Sequence, residues 1–140
     1  MLIMRRRGKE FQRKEFRLTE RLKSFRAAFN GIADLLIHEH NARIQLFILI
    51  LVIIAGILLR ISETEWLAIL FVSGLVFASE CFNTAVEYLS DLITDEQDEN
   101  VRKAKDVAAA GVLISAAVSV VAGLIIFIPE ILKLLKGDAL

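Results

Sequence analysis

The chain is 140 residues long and 56% hydrophobic, above the roughly 45–50% of an ordinary soluble domain. The excess lies in long uninterrupted runs rather than at core spacing, which excludes a soluble globular domain and leaves one small membrane domain. Formal net charge is zero, but basic residues crowd the N-terminus, and the lone cysteine, Cys81, excludes an intrachain disulfide or a thiolate metal cluster.

Residues 1–14 form a basic arm with Arg5, Arg6, Arg7, Lys9, Arg13 and Lys14. Acidic Glu10 is interleaved and a span follows closely, so anionic phospholipid headgroups are the expected counter-charge and nucleic acid is not. No small-residue cleavage site follows an early apolar stretch, so no signal peptide is expected and the first span should serve as the insertion signal.

Residues 15–140 read as a single integral membrane domain of the all-α class, three transmembrane helices preceded by an amphipathic surface helix. The surface helix is expected over 16–40. There Leu18, Leu22, Phe25, Phe29, Ile32 and Leu36 recur at alternating spacings of four and three, opposite Arg17, Arg21, Lys23 and Asp34. The first span covers about 44–59, flanked by Arg43 and Arg60, whose charged ends extend to the headgroups. Ile61 to Glu65 is expected as a tight turn, and Trp66 marks an interface and opens the second span, about 66–90. A polar connection from Thr94 to Arg102 leads to the third span, about 107–128, which Pro129 is expected to end. Gly111, Ser115, Ser119 and Gly123 recur every four residues along it, a spacing that lets membrane helices approach closely. The Lys and Arg distribution places the N-terminus and the 91–106 loop in the cytoplasm and Arg60 to Glu65 outside.

The chemistry concentrates on the second helix. At about 100° per residue, Glu80, Asn83, Glu87 and Asp91 fall within an arc of roughly 80° on one face, and Glu80 lies roughly 10 Å from Glu87 along the axis. Glu80 therefore sits beneath the cytoplasmic interface and Glu87 near it. A carboxylate at membrane depth is costly and ordinarily faces a protein interior, a water-filled cavity or a substrate path. Interhelical glue is the plain structural account, but glue needs one polar residue rather than four in register. The functional account divides the labour by depth: a carboxylate below the interface can take a proton from a lipid hydroxyl, while one at the interface can hold Mg²⁺ with a nucleotide's phosphates. Glu39, just before the first span, and Lys105 and Asp106, just before the third, stand at the same level. Taken singly they read as a solvated acid, a snorkelling lysine and a helix cap; their convergence favours a site. His38 and His40 point to nearly opposite sides of a helix and cannot easily chelate one metal. Glycine-rich phosphate loops are absent, so a nucleotide would be held by side chains and helix ends.

The run Glu80-Cys81-Phe82-Asn83-Thr84-Ala85-Val86-Glu87, then Asp91, then Ala104-Lys105-Asp106-Val107-Ala108-Ala109-Ala110-Gly111, closely resembles the signature of the prokaryotic diacylglycerol kinase family, which includes undecaprenol kinases. The likeness extends through Phe29, Gly31, Glu39 and Arg43 and covers about residues 20–130. It implies a homotrimer in the inner membrane of a bacterium that transfers the γ-phosphate of MgATP to a membrane lipid alcohol, diacylglycerol or undecaprenol. By the same resemblance Glu80 matches the general base, and Glu39 and Glu87 match the Mg²⁺-binding acids. Those two, with Asn83, Lys105 and Asp106, match the nucleotide-binding set. The competing reading from the residues is a small oligomeric ion or proton-coupled transporter subunit with the acidic stripe lining its path. Against it, the stretch from Trp66 to Phe77 offers only Ser73 and Gly74 within an otherwise apolar face, so polarity is confined to the cytoplasmic third. A non-catalytic assembly bundle would leave Glu39 and the Lys105-Asp106 pair without a common purpose.

Overall fold

The computed structural model describes residues 18–93 and 98–136. The basic arm at 1–14 and part of the polar connection lie outside the described residues. Four helices follow in chain order: α1 (Leu18–His38), α2 (His40–Leu58), α3 (Glu63–Ile93) and α4 (Glu99–Lys136). The last three are long and apolar enough to cross a membrane.

Each junction has a local cause. The surface helix ends at His38 rather than running to residue 40, because Glu39 takes up an extended conformation (φ −91°, ψ 119°) as the N-cap of α2. Backbone bonds bridge the break, from Glu39 N–H to the Leu35 carbonyl at 2.9 Å and from Arg43 N–H to the Glu39 carbonyl at 3.4 Å. One residue thus turns the chain from the surface into the bilayer.

At the far end of α2, Ile61 N–H bonds the Gly56 carbonyl at 3.2 Å and Arg60 N–H bonds the Ile57 carbonyl at 3.3 Å. This is the paired closure of a Schellman motif, and it puts Arg60 in the left-handed region at φ 51°, where glycine is the usual occupant. The expected turn over Ile61 to Glu65 is shorter than its sequence implies, because Ser62 and Glu65 form a capping box. The Glu65 carboxylate accepts from Ser62 N–H and from its hydroxyl, both at 2.7 Å, while Ser62 Oγ accepts from Glu65 N–H at 3.4 Å. Helix α3 therefore begins at Glu63.

The helix that carries the third span extends beyond the expected span at both ends. Asp98 Oδ1 accepts from Asn100 N–H at 2.7 Å and from Val101 N–H at 3.2 Å, so it caps α4 and draws Arg102 into the helix. Pro129 does not end α4, which continues to Lys136. A proline costs the helix one N–H bond, whereas unwinding in an apolar stretch would release several backbone groups into lipid.

The main packed pair is α3 with α4; α2 leans on α3, and α1 touches both α2 and α3. Near the α2–α3 turn the interior is apolar, with Ile61, Ile69 and Ile126 buried against Val52, Trp66 and Phe127. Gly56 is required there: a Cβ at that position would lie 2.8 Å from Trp66 Cη2 and 3.0 Å from Ile61 Cδ1. Toward the α3–α4 connection the buried residues of α3 and α4 become polar: Glu80, Asn83, Thr84, Ser90 and Ser115. On α1, Leu18, Leu22, Phe25, Phe29 and Ile32 are exposed, the face an interfacial helix turns to lipid.

Candidate active site

Glu80 is the most buried large side chain among the described residues, at 1% exposure. Its position follows from helix periodicity: Ile69, Val76, Glu80 and Asn83 occupy the inward stripe of α3, so the pattern that buries isoleucine near one end buries a carboxylate near the other. Its partner comes from α2, where Gln45 Nε2 donates to Glu80 Oε2 at 3.0 Å. Beside this pair an apolar cavity of about 200 Å³ opens between α2, α3 and α4, with Gln45, Val52, Val76, Ser119 and Phe127 among its walls.

One turn further along α3, Asn83 Nδ2 donates to Glu87 Oε1 at 2.7 Å. This leaves Asn83 Oδ1 buried without a partner, as are Thr84 Oγ1 and Gln45 Oε1. Buried polar atoms left without a partner in this way are costly. Asp91 reaches the other way, accepting from Lys105 Nζ on α4 at 2.6 Å. The four stripe residues are thus divided among partners: Glu80 turns to α2, Asn83 and Glu87 engage each other, and Asp91 binds α4.

The remaining predicted residues stand around this stripe. Glu39 makes no capping bond with its side chain, which leaves the carboxylate uncommitted at the head of α2. Lys105 is joined to the stripe through Asp91, but Asp106 instead pairs with Arg102 on its own helix at 3.2 Å. Among the described residues no three His, Cys, Asp or Glu side chains gather closely enough to hold a metal by themselves. Their chemistry nonetheless suits Mg²⁺, because the donors are hard oxygens and Mg²⁺ at kinase sites takes one or two carboxylates and completes its shell with phosphates and water.

Two contributors were not foreseen. Gln45 fell inside a span expected to be apolar, although it is the one amide or charged residue between Arg43 and Arg60. A lone amide at that depth needs a partner, and that was the available signal. Tyr88 donates to Asp34 Oδ2 at 3.2 Å, tying the surface helix to α3 beside the site. Asp34 also holds His38 Nδ1 at 3.0 Å. Nothing in the spacing of Asp34 and Tyr88 announces a contact across 54 residues.

The profile of the family described as Prokaryotic diacylglycerol kinase matches residues 26–127. The chain is 38% identical over 109 residues to a Bacillus subtilis protein named undecaprenol kinase, a match that covers 78% of this chain and 89% of that relative. It is 34% identical over 115 residues to a Synechocystis sp. protein named diacylglycerol kinase, covering 81% of this chain and 66% of the longer relative.

Proposed function

The chain belongs to the prokaryotic diacylglycerol kinase family and is a lipid kinase, and from that premise we propose that it transfers the γ-phosphate of MgATP to a membrane lipid alcohol, diacylglycerol or undecaprenol, at the cytoplasmic surface of the bilayer. The observation that carries this reading is Glu80, a carboxylate 1% exposed on a membrane helix, next to an apolar cavity and about two turns from the Glu87 level. That arrangement supports a reaction at a boundary. The lipid's chain stays among apolar side chains, its hydroxyl meets Glu80, and the nucleotide lies at the level of Glu39, Glu87 and Lys105.

In the reaction the lipid hydroxyl oxygen forms a bond to the γ-phosphorus, its proton passes to Glu80, and the bond to the β-phosphate oxygen breaks to release ADP. Glu80 serves as general base and Lys105 offsets phosphate charge. Mg²⁺ would be held by Glu39 and Glu87 and would supply charge neutralisation of the phosphates. Asn83, joined to Glu87, orients that acid and offers its free Oδ1 to the site. Asp106, paired with Arg102 on its own helix, belongs to the nucleotide-binding set that the resemblance implies. The working enzyme is a homotrimer, as the family resemblance implies, seated in the inner membrane.

The test is to incubate purified protein with labelled ATP and a panel of lipid alcohols that includes diacylglycerol and undecaprenol. Label should enter at least one lipid, and Glu80→Gln should lower turnover by about 10²-fold or more while MgATP affinity stays close to wild type, because the amide keeps the volume but cannot accept a proton. A protein that labels no lipid sinks the reading, and a Glu80→Gln variant with ordinary turnover removes the base.

A further inference from the structure

The contact between α2 and α3 at the base does more than pack. Glu80 is buried among apolar neighbours, for near its depth the interior holds Val76 and the cavity walls. Between Arg43 and Arg60, α2 carries no titratable residue, and α4 carries none between Asp106 and Glu130. Opposite Ser79, immediately before the base, α4 presents the Ser115 hydroxyl, at 2.7 Å from Ser79 Oγ. Toward the connection, α3 itself carries Glu87, bonded by Asn83, and Asp91, paired with Lys105. At the head of α2, Arg43 Nη2 is bonded to His40 Nδ1 at 2.8 Å, with Glu39 alongside. On α1, Asp34 and His38 hold each other. Among the described residues the Gln45 amide is the polar group that meets the Glu80 carboxylate directly, and it meets it with a donor.

We propose that Gln45 is a positioning residue for the base: its N–H fixes Glu80 Oε2, stabilises the ionised carboxylate inside the bundle, and leaves Oε1 to receive the lipid proton. The inference rests on the assignment of Glu80 as base. Gln45 also carries a buried, unpartnered Oε1.

The experiment follows turnover against pH for the full-length enzyme in lipid vesicles, using the best acceptor from the lipid panel, with Gln45→Met, Gln45→Glu and Glu80→Gln side by side. Methionine keeps the length without a donor. It should lower kcat about tenfold at neutral pH and move the acid limb of the kcat profile up by about one pH unit, with KM for ATP within about twofold of wild type. Glutamate keeps the shape but sets a second carboxyl against the base, so the limb should move upward again, with activity recovering at alkaline pH. Profiles that coincide with wild type in both variants, while Glu80→Gln is inactive, overturn the role of Gln45 and leave the base assignment standing. A uniform loss at every pH with a lowered unfolding midpoint also overturns it, since that is what packing alone produces. Ordinary activity in Glu80→Gln would instead remove the base itself.

Discussion

At the scale of single residues, the candidate site is built from side chains whose ordinary structural duties have been left undone. Glu39 sits at an N-cap without capping, Asn83 keeps a buried acceptor free, and Glu80 is buried with an amide rather than a cation for company. The Lys105–Asp91 pair is partly exposed and worth at most about 1 kcal/mol to stability, so its consequence is the placement of the ammonium rather than the hold of α4 on α3. If Glu39 and Glu87 bind the metal, neutralising either should shift the metal requirement and not the proton transfer. Glu39→Gln and Glu87→Gln should each raise the Mg²⁺ concentration for half-maximal activity severalfold, with kcat at saturating Mg²⁺ falling less than in Glu80→Gln. Metal titrations that superimpose on wild type in both variants would count against the assignment.

At the scale of elements, helix ends decide where the proposed reactive groups lie. The Ser62–Glu65 box and the Schellman closure at Arg60 set the register in which α3 leaves the turn, and Glu80 lies more than four helical turns beyond it. The turn is held by Gly56 against the Trp66 ring. Gly56→Ala places a methyl 2.8 Å from Trp66 Cη2, and because an indole ring wedged between helices has little room to give, overpacking of about 1–3 kcal/mol should follow. Thermal unfolding in detergent should show a lower midpoint for this variant, whereas Gly31→Ala, with open space around its Cβ, serves as the control that should not. An unchanged midpoint in Gly56→Ala would mean that the Trp66 contact is not what fixes the turn.

At the scale of the whole molecule, one end is dry and the other polar. Ile61, Ile69 and Ile126 close the interior near the α2–α3 turn, so among the described residues no polar route leads from that side to Glu80. A transport path would need polarity along the length of the span, and this bundle has it at one end. ATP should therefore reach the site only from the side of the α3–α4 connection, and the lipid should enter laterally from the same leaflet. Single cysteines at Ser62 or Asn100 in a Cys81→Ala background report orientation in vesicles. External ATP should support phosphorylation only where Asn100 is the labelled, outward-facing position. Equal activity with ATP confined to the Ser62 side would overturn the sidedness.

The sequence by itself determined the class of fold, the three spans and the stripe of Glu80, Asn83, Glu87 and Asp91, because runs of apolar residues and the helical repeat are local properties that survive without any knowledge of neighbours. The family signature was legible for the same reason. Local signals also misled where two of them competed: Pro129 reads as a stop, but the cost of exposing backbone to lipid outweighs one missing bond, and α4 continues. The tertiary structure alone decided which partner each stripe residue takes. Gln45 meets Glu80 across 35 residues and Tyr88 meets Asp34 across 54, and such pairings depend on the rotation and depth of whole helices against one another, which no spacing within either segment encodes.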